Sequence, residues 1–318
     1  MNTSKLVKFS VLNSVKTLLL IVVMAGIVSL LIYITLGGVF AIAGMFFIIG
    51  VYLLTPSFAP GLMLKYYKAR KLRYIDVPEY YRLMRFICSR AGLPSLPELY
   101  YIPSERPAAF ATGDSRHAGI AITAGLMNKL TLDEIAGVVG HEISHIKNND
   151  MRVMWFGLLM NRISDLLSMI GQVMVIINLP LIFLGGFSIS WLTIGALIIA
   201  PTISYLVYLT LSRVREYLAD MGSAVILGTP EPLISALEKI EYGAGNLFKK
   251  LSINTRAEKA PELLMTHPPT TDRIQRLKAF RNETAVAINN RKRMHAVKDT
   301  IPVRIAKRGA GHNQPTLF

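Results

Sequence analysis

Two long stretches of the chain carry no charge at all. No Asp, Glu, Lys or Arg occurs from Thr17 to Leu64, a run of 48 residues, or from Leu166 to Ser212, a run of 47. One straight helix of that length would measure about 72 Å, against a bilayer hydrocarbon core of about 30 Å. Each run is therefore expected to fold back on itself. Gly37-Gly38 punctuates the first and Gly185-Gly186 the second. The pattern predicts four membrane helices, at about 17–36, 39–58, 166–184 and 189–211.

Between and after these runs the polar pattern changes period. Asp76 and Pro78 open a helix with Tyr80, Leu83, Met84, Ile87 and Cys88 on one face, and Gly92-Leu93-Pro94 stops it. Three short strands follow: PELYYIP, Pro107–Gly113 and Gly119–Thr123, with Asp114–His117 as a turn. A helix then begins at Thr131, whose hydroxyl can cap it while Glu134 reaches back as the second half of a capping box. Ile135, Val138, Val139, Ile143 and Ile146 give this helix a mostly buried surface, and Asn148-Asn149-Asp150 end it. Past the second apolar run, Glu216-Tyr217-Leu218-Ala219-Asp220 opens a helix, Pro230 begins another, and a loop at Thr266–Asp272 enters a last amphipathic helix ending near Arg281. The organisation expected is thus a membrane hairpin at 1–64, a first polar portion at 65–165, a second hairpin at 166–212, a second polar portion at 213–281 and a basic tail at 282–318. The fold class is a mainly α integral membrane protein bearing an α+β domain with a small sheet.

Composition agrees with a membrane protein: 52% of residues are hydrophobic and 17% charged, below the roughly 25% usual in soluble domains. The net charge of +15 is concentrated beside the apolar runs and in the tail. Lys5, Lys8 and Lys16 precede the first span, Lys65, Lys68, Arg70, Lys71 and Arg73 follow the second, Arg152 and Arg162 precede the third, and Arg213 and Arg215 follow the fourth. All lie on one side, which the positive-inside rule makes cytoplasmic, together with both termini. Anionic lipid headgroups are the expected partner of these clusters, and no nucleic-acid motif is present. The start resembles a signal peptide without a clear cleavage site, so it is read as a retained anchor. Cys88 is the only cysteine, which excludes an intrachain disulfide and a thiolate metal cluster.

The chemistry centres on His141-Glu142-Ile143-Ser144-His145. Four residues apart on a helix, His141 and His145 share a face and can reach one metal ion, while Glu142, about 100° round, can reach a water on that metal without ligating it. A catalytic zinc takes three protein ligands and leaves a position open. A third His six residues beyond the second is ruled out, since that position is Met151 and the accompanying Gly is Asn148. An intramembrane site is ruled out by Asp133, Glu134, Lys147 and Asp150 at the helix ends. The remaining option is a Glu from a separate helix. Glu216 is the best candidate, with Asp220 one turn on to orient a ligand imidazole through its other nitrogen. A hairpin that leaves and re-enters on one face would let His145 and Glu216 meet.

The N-terminal hairpin, HEISHIKNNDM, the second hairpin, REYLAD and THPPTTDRI together resemble the HtpX group of membrane zinc metalloproteases, related to the CAAX prenyl endopeptidases. The resemblance spans most of residues 1–281. It implies a zincin-like catalytic domain built from 65–165 and 213–281, with one zinc ion per chain held by His141, His145 and Glu216 and with Glu142 as general base. It also implies endoproteolysis of misfolded or membrane polypeptides at the cytoplasmic face of the bacterial inner membrane. Similar proteases carry Asn-Ala-Phe on the strand lining the cleft; here the segment is Ala108-Ala109-Phe110, so the side-chain amide is absent although backbone pairing to a substrate strand is retained. His267 is a candidate oxyanion donor, or a structural residue before the Pro-Pro helix start. His117, in a turn, is read as a surface residue. Two other functions fit the same residues: a maturation protease for one peptide or lipidated precursor, and an inactive scaffold or transporter with a relic metal site. Against the last, the four expected spans contain no charged residue to form a translocation path.

Overall fold

The computed structural model describes residues 3–54, 60–184, 190–250 and 268–282. Helices α1 (Thr3–Leu36) and α2 (Gly38–Leu54) form the first hairpin. Gly37 has φ 92°, so the reversal uses a left-handed conformation that a glycine adopts without strain. Helix α3 (Pro60–Tyr66) and strand β1 (Arg70–Lys71) follow, then α4 (Pro78–Ala91), closed by a left-handed Gly92. Strands β2 (Glu98–Ile102), β3 (Ala109–Gly113) and β4 (Ala118–Thr123) lead through the short α5 (Ala124–Lys129) into α6 (Leu132–Lys147). Two long helices, α7 (Asp150–Phe183) and α8 (Trp191–Leu227), are followed by α9 (Glu231–Lys250) and by α10 at residues 270–282.

The sheet runs β1-β2-β4-β3, with β2 and β4 parallel and the other pairs antiparallel. The three expected strands are present. β1, two residues in a basic stretch with no apolar alternation, was not expected and pairs Arg70 with Tyr101. β3 lies at the sheet's edge, and α6 packs beside it. One core joins the sheet to α4 and α6 through Met84, Ile87, Leu99, Ile120, Ile122, Ile135, Val139 and Ile143. A second core holds α1, α2, α7 and α8 together through Met24, Val28, Ile48, Phe156, Met160 and Leu211.

Among the described residues, three helices are long and apolar enough to cross a membrane, at Ser14–Leu36, Asp150–Phe183 and Trp191–Leu227. The second expected span, α2, is a 17-residue helix of about 26 Å, with residues 55–59 outside those described. The expected extents of the third and fourth spans are corrected. The helices do not stop where charge begins: α7 starts at Asp150, and α8 continues to Leu227. Glu216 therefore does not open a helix. No Gly or Pro interrupts residues 202–221, so hydrogen bonding continues from the apolar segment into the polar one until Gly228, at φ 83°, ends it.

Helix α6 is buried along almost all its length, and small residues let its neighbours approach. A Cβ on Gly137 would lie 2.5 Å from the backbone nitrogen of Leu233 on α9, and one on Gly222 would lie 2.0 Å from Ser144 Oγ. Ser223 Oγ donates to the Gly137 carbonyl at 2.8 Å across the same crossing. The capping box at Thr131 and Glu134 is present. Glu134 also accepts from Ser235 (2.6 Å) and Lys239 (2.9 Å) of α9. Burial alone would raise its pKa, but the hydrogen bonds from Lys239, Ser235 and Thr131 outweigh this and hold it at about 2.

Gly222→Ala should lower thermal stability by about 1–3 kcal/mol through overpacking against Ser144, whereas Gly195→Ala, which meets nothing within 4 Å, should be neutral or slightly stabilising; unfolding of the detergent-solubilised chain compares them. The depressed pKa of Glu134 sets a second expectation. Its contribution is complete above the ordinary value of 4.5 and is lost as pH falls through about 2. Glu134→Gln should remove about 1 kcal/mol at pH 7, a figure reduced for the half-open Lys239, and flatten the acid limb of the stability–pH curve.

Candidate metalloprotease site

The crossing of α6 and α8 brings three Lewis bases to one point. His141 and His145 present their Nε2 atoms 3.1 Å apart. The Glu216 carboxylate lies 3.5 Å from each, through Oε2 and Oε1 respectively. All three residues are buried. Two nitrogens each about 2.0–2.1 Å from a tetrahedral zinc would sit about 3.3 Å apart, and a nitrogen and a carboxylate oxygen about 3.4 Å apart. The separations in the protein match that requirement.

The other ring nitrogens explain why the Nε2 lone pairs face inward. His141 Nδ1–H donates to Asp220 Oδ1 at 2.9 Å, and His145 Nδ1–H donates to Asp150 Oδ2 at 2.7 Å. Each carboxylate fixes the tautomer and the ring angle, leaving Nε2 as the acceptor that a metal needs. Asp220 thus lies within hydrogen-bond distance of the His141 ring nitrogen that faces away from His145. Asp150 was read only as a helix-end residue. Its signal was its place immediately after Asn148-Asn149: Asn149 adopts φ 53°, turning the chain so that the first residue of α7 points back at α6.

Arg273 of α10 was quoted within THPPTTDRI but given no role. It donates to Asp220 through Nε (2.9 Å) and Nη2 (2.6 Å), and its Nη1 lies 3.9 Å from Glu216 Oε2. The guanidinium and the His141 ring share the Asp220 carboxylate as acceptor. Burial lowers the pKa of Arg273, but Asp220, Glu216 and Glu142 raise it overall, so the group stays cationic. A cation here offsets the gathering of carboxylates in a buried site. Arg276, one turn on, stacks 3.8 Å from the centre of the Tyr217 ring, which fixes α10 to α8.

Burial also lowers the pKa of His141 and of His145. Asp220 and Glu216 as hydrogen-bond acceptors of protonated His141, and Glu216 as acceptor of protonated His145, raise both overall, so a proton and a metal ion compete for the same nitrogens. Glu142 is buried beside them and, among the described residues, has no hydrogen-bond or ion-pair partner.

Ala108, Ala109 and Phe110 fall at the start of β3, beside α6. Thr123 clasps Ala108 from β4: its Oγ1 accepts from the Ala108 N–H at 2.9 Å, and its own N–H donates to the Ala108 carbonyl at 3.0 Å. Phe110 packs its ring against Tyr67, 5.4 Å between centres, within the apolar cluster of Leu64, Ile102 and Ala121. His267 lies outside the described residues. His117 is an exposed turn residue beside Asp114.

The chain is similar in sequence to proteins of known family. The family model described as Peptidase family M48 matches residues 78–281. A protease HtpX homolog of Thermococcus kodakarensis is 36% identical over 260 residues, covering 73% of this chain and 84% of the relative. One from Bifidobacterium longum is 32% identical over 299 residues, covering 85% and 93%. The crystal structure of S. mikatae Ste24p aligns at 20% identity with a TM-score of 0.49, over 85% of this chain and 67% of that one. Two histidines and a glutamate converge where α6 crosses α8, a helix long and apolar enough to span a membrane, in a chain whose residues 78–281 that family matches: the chain belongs to peptidase family M48, as a membrane metalloprotease of the HtpX type.

Proposed function

We propose that this protein is a zinc-dependent endopeptidase that cuts misfolded or membrane polypeptides at the cytoplasmic face of a bacterial inner membrane. The observation that carries the reading is the meeting of His141 Nε2, His145 Nε2 and the Glu216 carboxylate at zinc-ligand spacing, with Glu216 on a helix continuous with an apolar span. The cytoplasmic assignment rests on Lys16, Arg70, Lys71, Arg152 and Arg213, all at the end of the membrane helices that carries the site. The same basic residues would meet anionic lipid headgroups.

The three ligands would hold one zinc ion, which when bound supplies a water of pKa about 7 and polarises the scissile carbonyl. Glu142, one position along from His141 and without a hydrogen-bond or ion-pair partner among the described residues, takes the proton from the attacking water and returns it to the leaving amine. Asp220 and Asp150 keep the two imidazoles aligned throughout, and Arg273 balances the charge gathered around them. The substrate would add as a strand along β3. The 108/123 position is hydrogen-bonded to β4, so by the alternation of an antiparallel ladder Ala109 and Ala111 turn their N–H and C=O outward. Phe110 shapes the strand from behind instead of gripping the substrate with its ring. With Ala at 108, the strand offers backbone pairing without a side-chain amide, and grip on the substrate is correspondingly sequence-tolerant. That suits unfolded chains better than a single precursor.

Glu142→Gln should keep about one zinc per chain by elemental analysis and lose at least about 10²-fold in cleavage of an unfolded reporter, the loss expected when a general base is removed; activity surviving that change would remove Glu142 from the mechanism. Glu216→Gln should instead weaken zinc binding itself, by about 10²-fold or more in chelator competition. Zinc affinity equal to that of the unaltered protein would exclude Glu216 as a ligand.

A further inference from the structure

Beside the ligand Glu216 on α8 stands Arg215, an arginine buried to 6% exposure whose side chain the proposed chemistry does not use. Its guanidinium gathers three elements. It pairs with Asp150 Oδ1 at the start of α7. Its Nη2 donates to the Asn148 carbonyl, at the end of α6, at 3.1 Å. Its Nη1 reaches Thr17 Oγ1 on α1 at 3.4 Å. Asp150 is fully buried, and its other oxygen holds the His145 ring. An unbroken set of polar contacts therefore runs from the first membrane helix to a metal ligand: Thr17, Arg215, Asp150, His145. Thr17 is itself buried, close to the start of the apolar segment Ser14–Leu36. Lower down, Met24 and Val28 of the same helix pack among α7 and α8 residues.

We propose that Arg215 is a positioning residue through which the seating of α1 in the membrane bundle sets the His145 ring, so that the metal site reaches full affinity only when the N-terminal helix is docked. The inference rests on the ligand reading above. A planar guanidinium suits the task because it presents donors in several fixed directions at once, whereas a lysine would present one compact charge. Outer partners of ligand histidines typically influence metal affinity 10–100-fold, and contacts in series influence it non-additively.

The test uses the full chain in nanodiscs, with zinc affinity measured by chelator competition and unfolding of the chelator-stripped protein measured in parallel. Arg215→Lys should weaken zinc binding about tenfold and Thr17→Val about threefold, and the double variant should be no weaker than Arg215→Lys alone. Thr35→Val, which removes a hydroxyl bonded only within α1, at 2.7 Å to the Leu31 carbonyl, should leave affinity unchanged. Equal affinity in Thr17→Val and the unaltered protein overturns the inference. So do losses that multiply in the double variant, or a fall in unfolding temperature with affinity intact. If Arg215→Lys does not fold, the comparison of Thr17→Val with Thr35→Val decides alone. Absence of zinc from the unaltered protein overturns the ligand reading, and this inference with it, whereas zinc present with variant affinities unchanged overturns this inference only.

Discussion

Two imidazole nitrogens 3.1 Å apart with a carboxylate 3.5 Å from both are a costly arrangement in a buried interior. Lone pairs repel, and neither ring would hold that angle unaided. What makes it tenable is the hydrogen bond behind each ring, from His141 to Asp220 and from His145 to Asp150. Those carboxylates are buried in turn, and each needs a cation: Arg273 for Asp220, Arg215 for Asp150. The rest of the structure can be followed outward from this requirement. α10 is held where Arg273 must be. α7 begins where Asp150 must be. The glycines of α6 and α8 allow the backbones to come close enough for Glu216 to arrive.

The two buried pairs differ in where they are rooted. Asp220 and Arg273 join α8 to α10, both in the polar domain. Asp150 and Arg215 sit at the first turn of α7 and on α8, with α1 alongside. One of the two histidines is thus held from α8 and α10, and the other from the first turn of α7, beside the membrane helices. That division gives a physical meaning to a peptidase whose sequence is interrupted by a hairpin: the membrane helices are part of the site's framework.

The parts of the site that were legible in the sequence are those written in local periodicity. His141 and His145 share a face because they are four apart, and Asp220 follows Glu216 by the same spacing. The capping box at Thr131 and Glu134 and the stop at Gly92 are local signals too, and the structure has both. Asp150, Arg215 and Arg273 escaped notice because their meaning lies in pairings between elements distant along the chain, and no spacing rule records those. Helix extent was misjudged for a different reason. Hydropathy marks where lipid contact ends, but a helix ends only where its hydrogen bonding is interrupted, and nothing interrupts α8 between Pro201 and Gly228.

The path of the chain through α6, α7 and α8 also imposes an order in time. HEISH emerges from the ribosome first, with two of the three groups proposed to hold the metal. Glu216 comes after the second apolar run, and Arg273 later still. A nascent chain that has made its histidines but has not yet threaded α7 and α8 lacks that carboxylate. On the proposed ligand set, the site therefore cannot close until the second hairpin has been made.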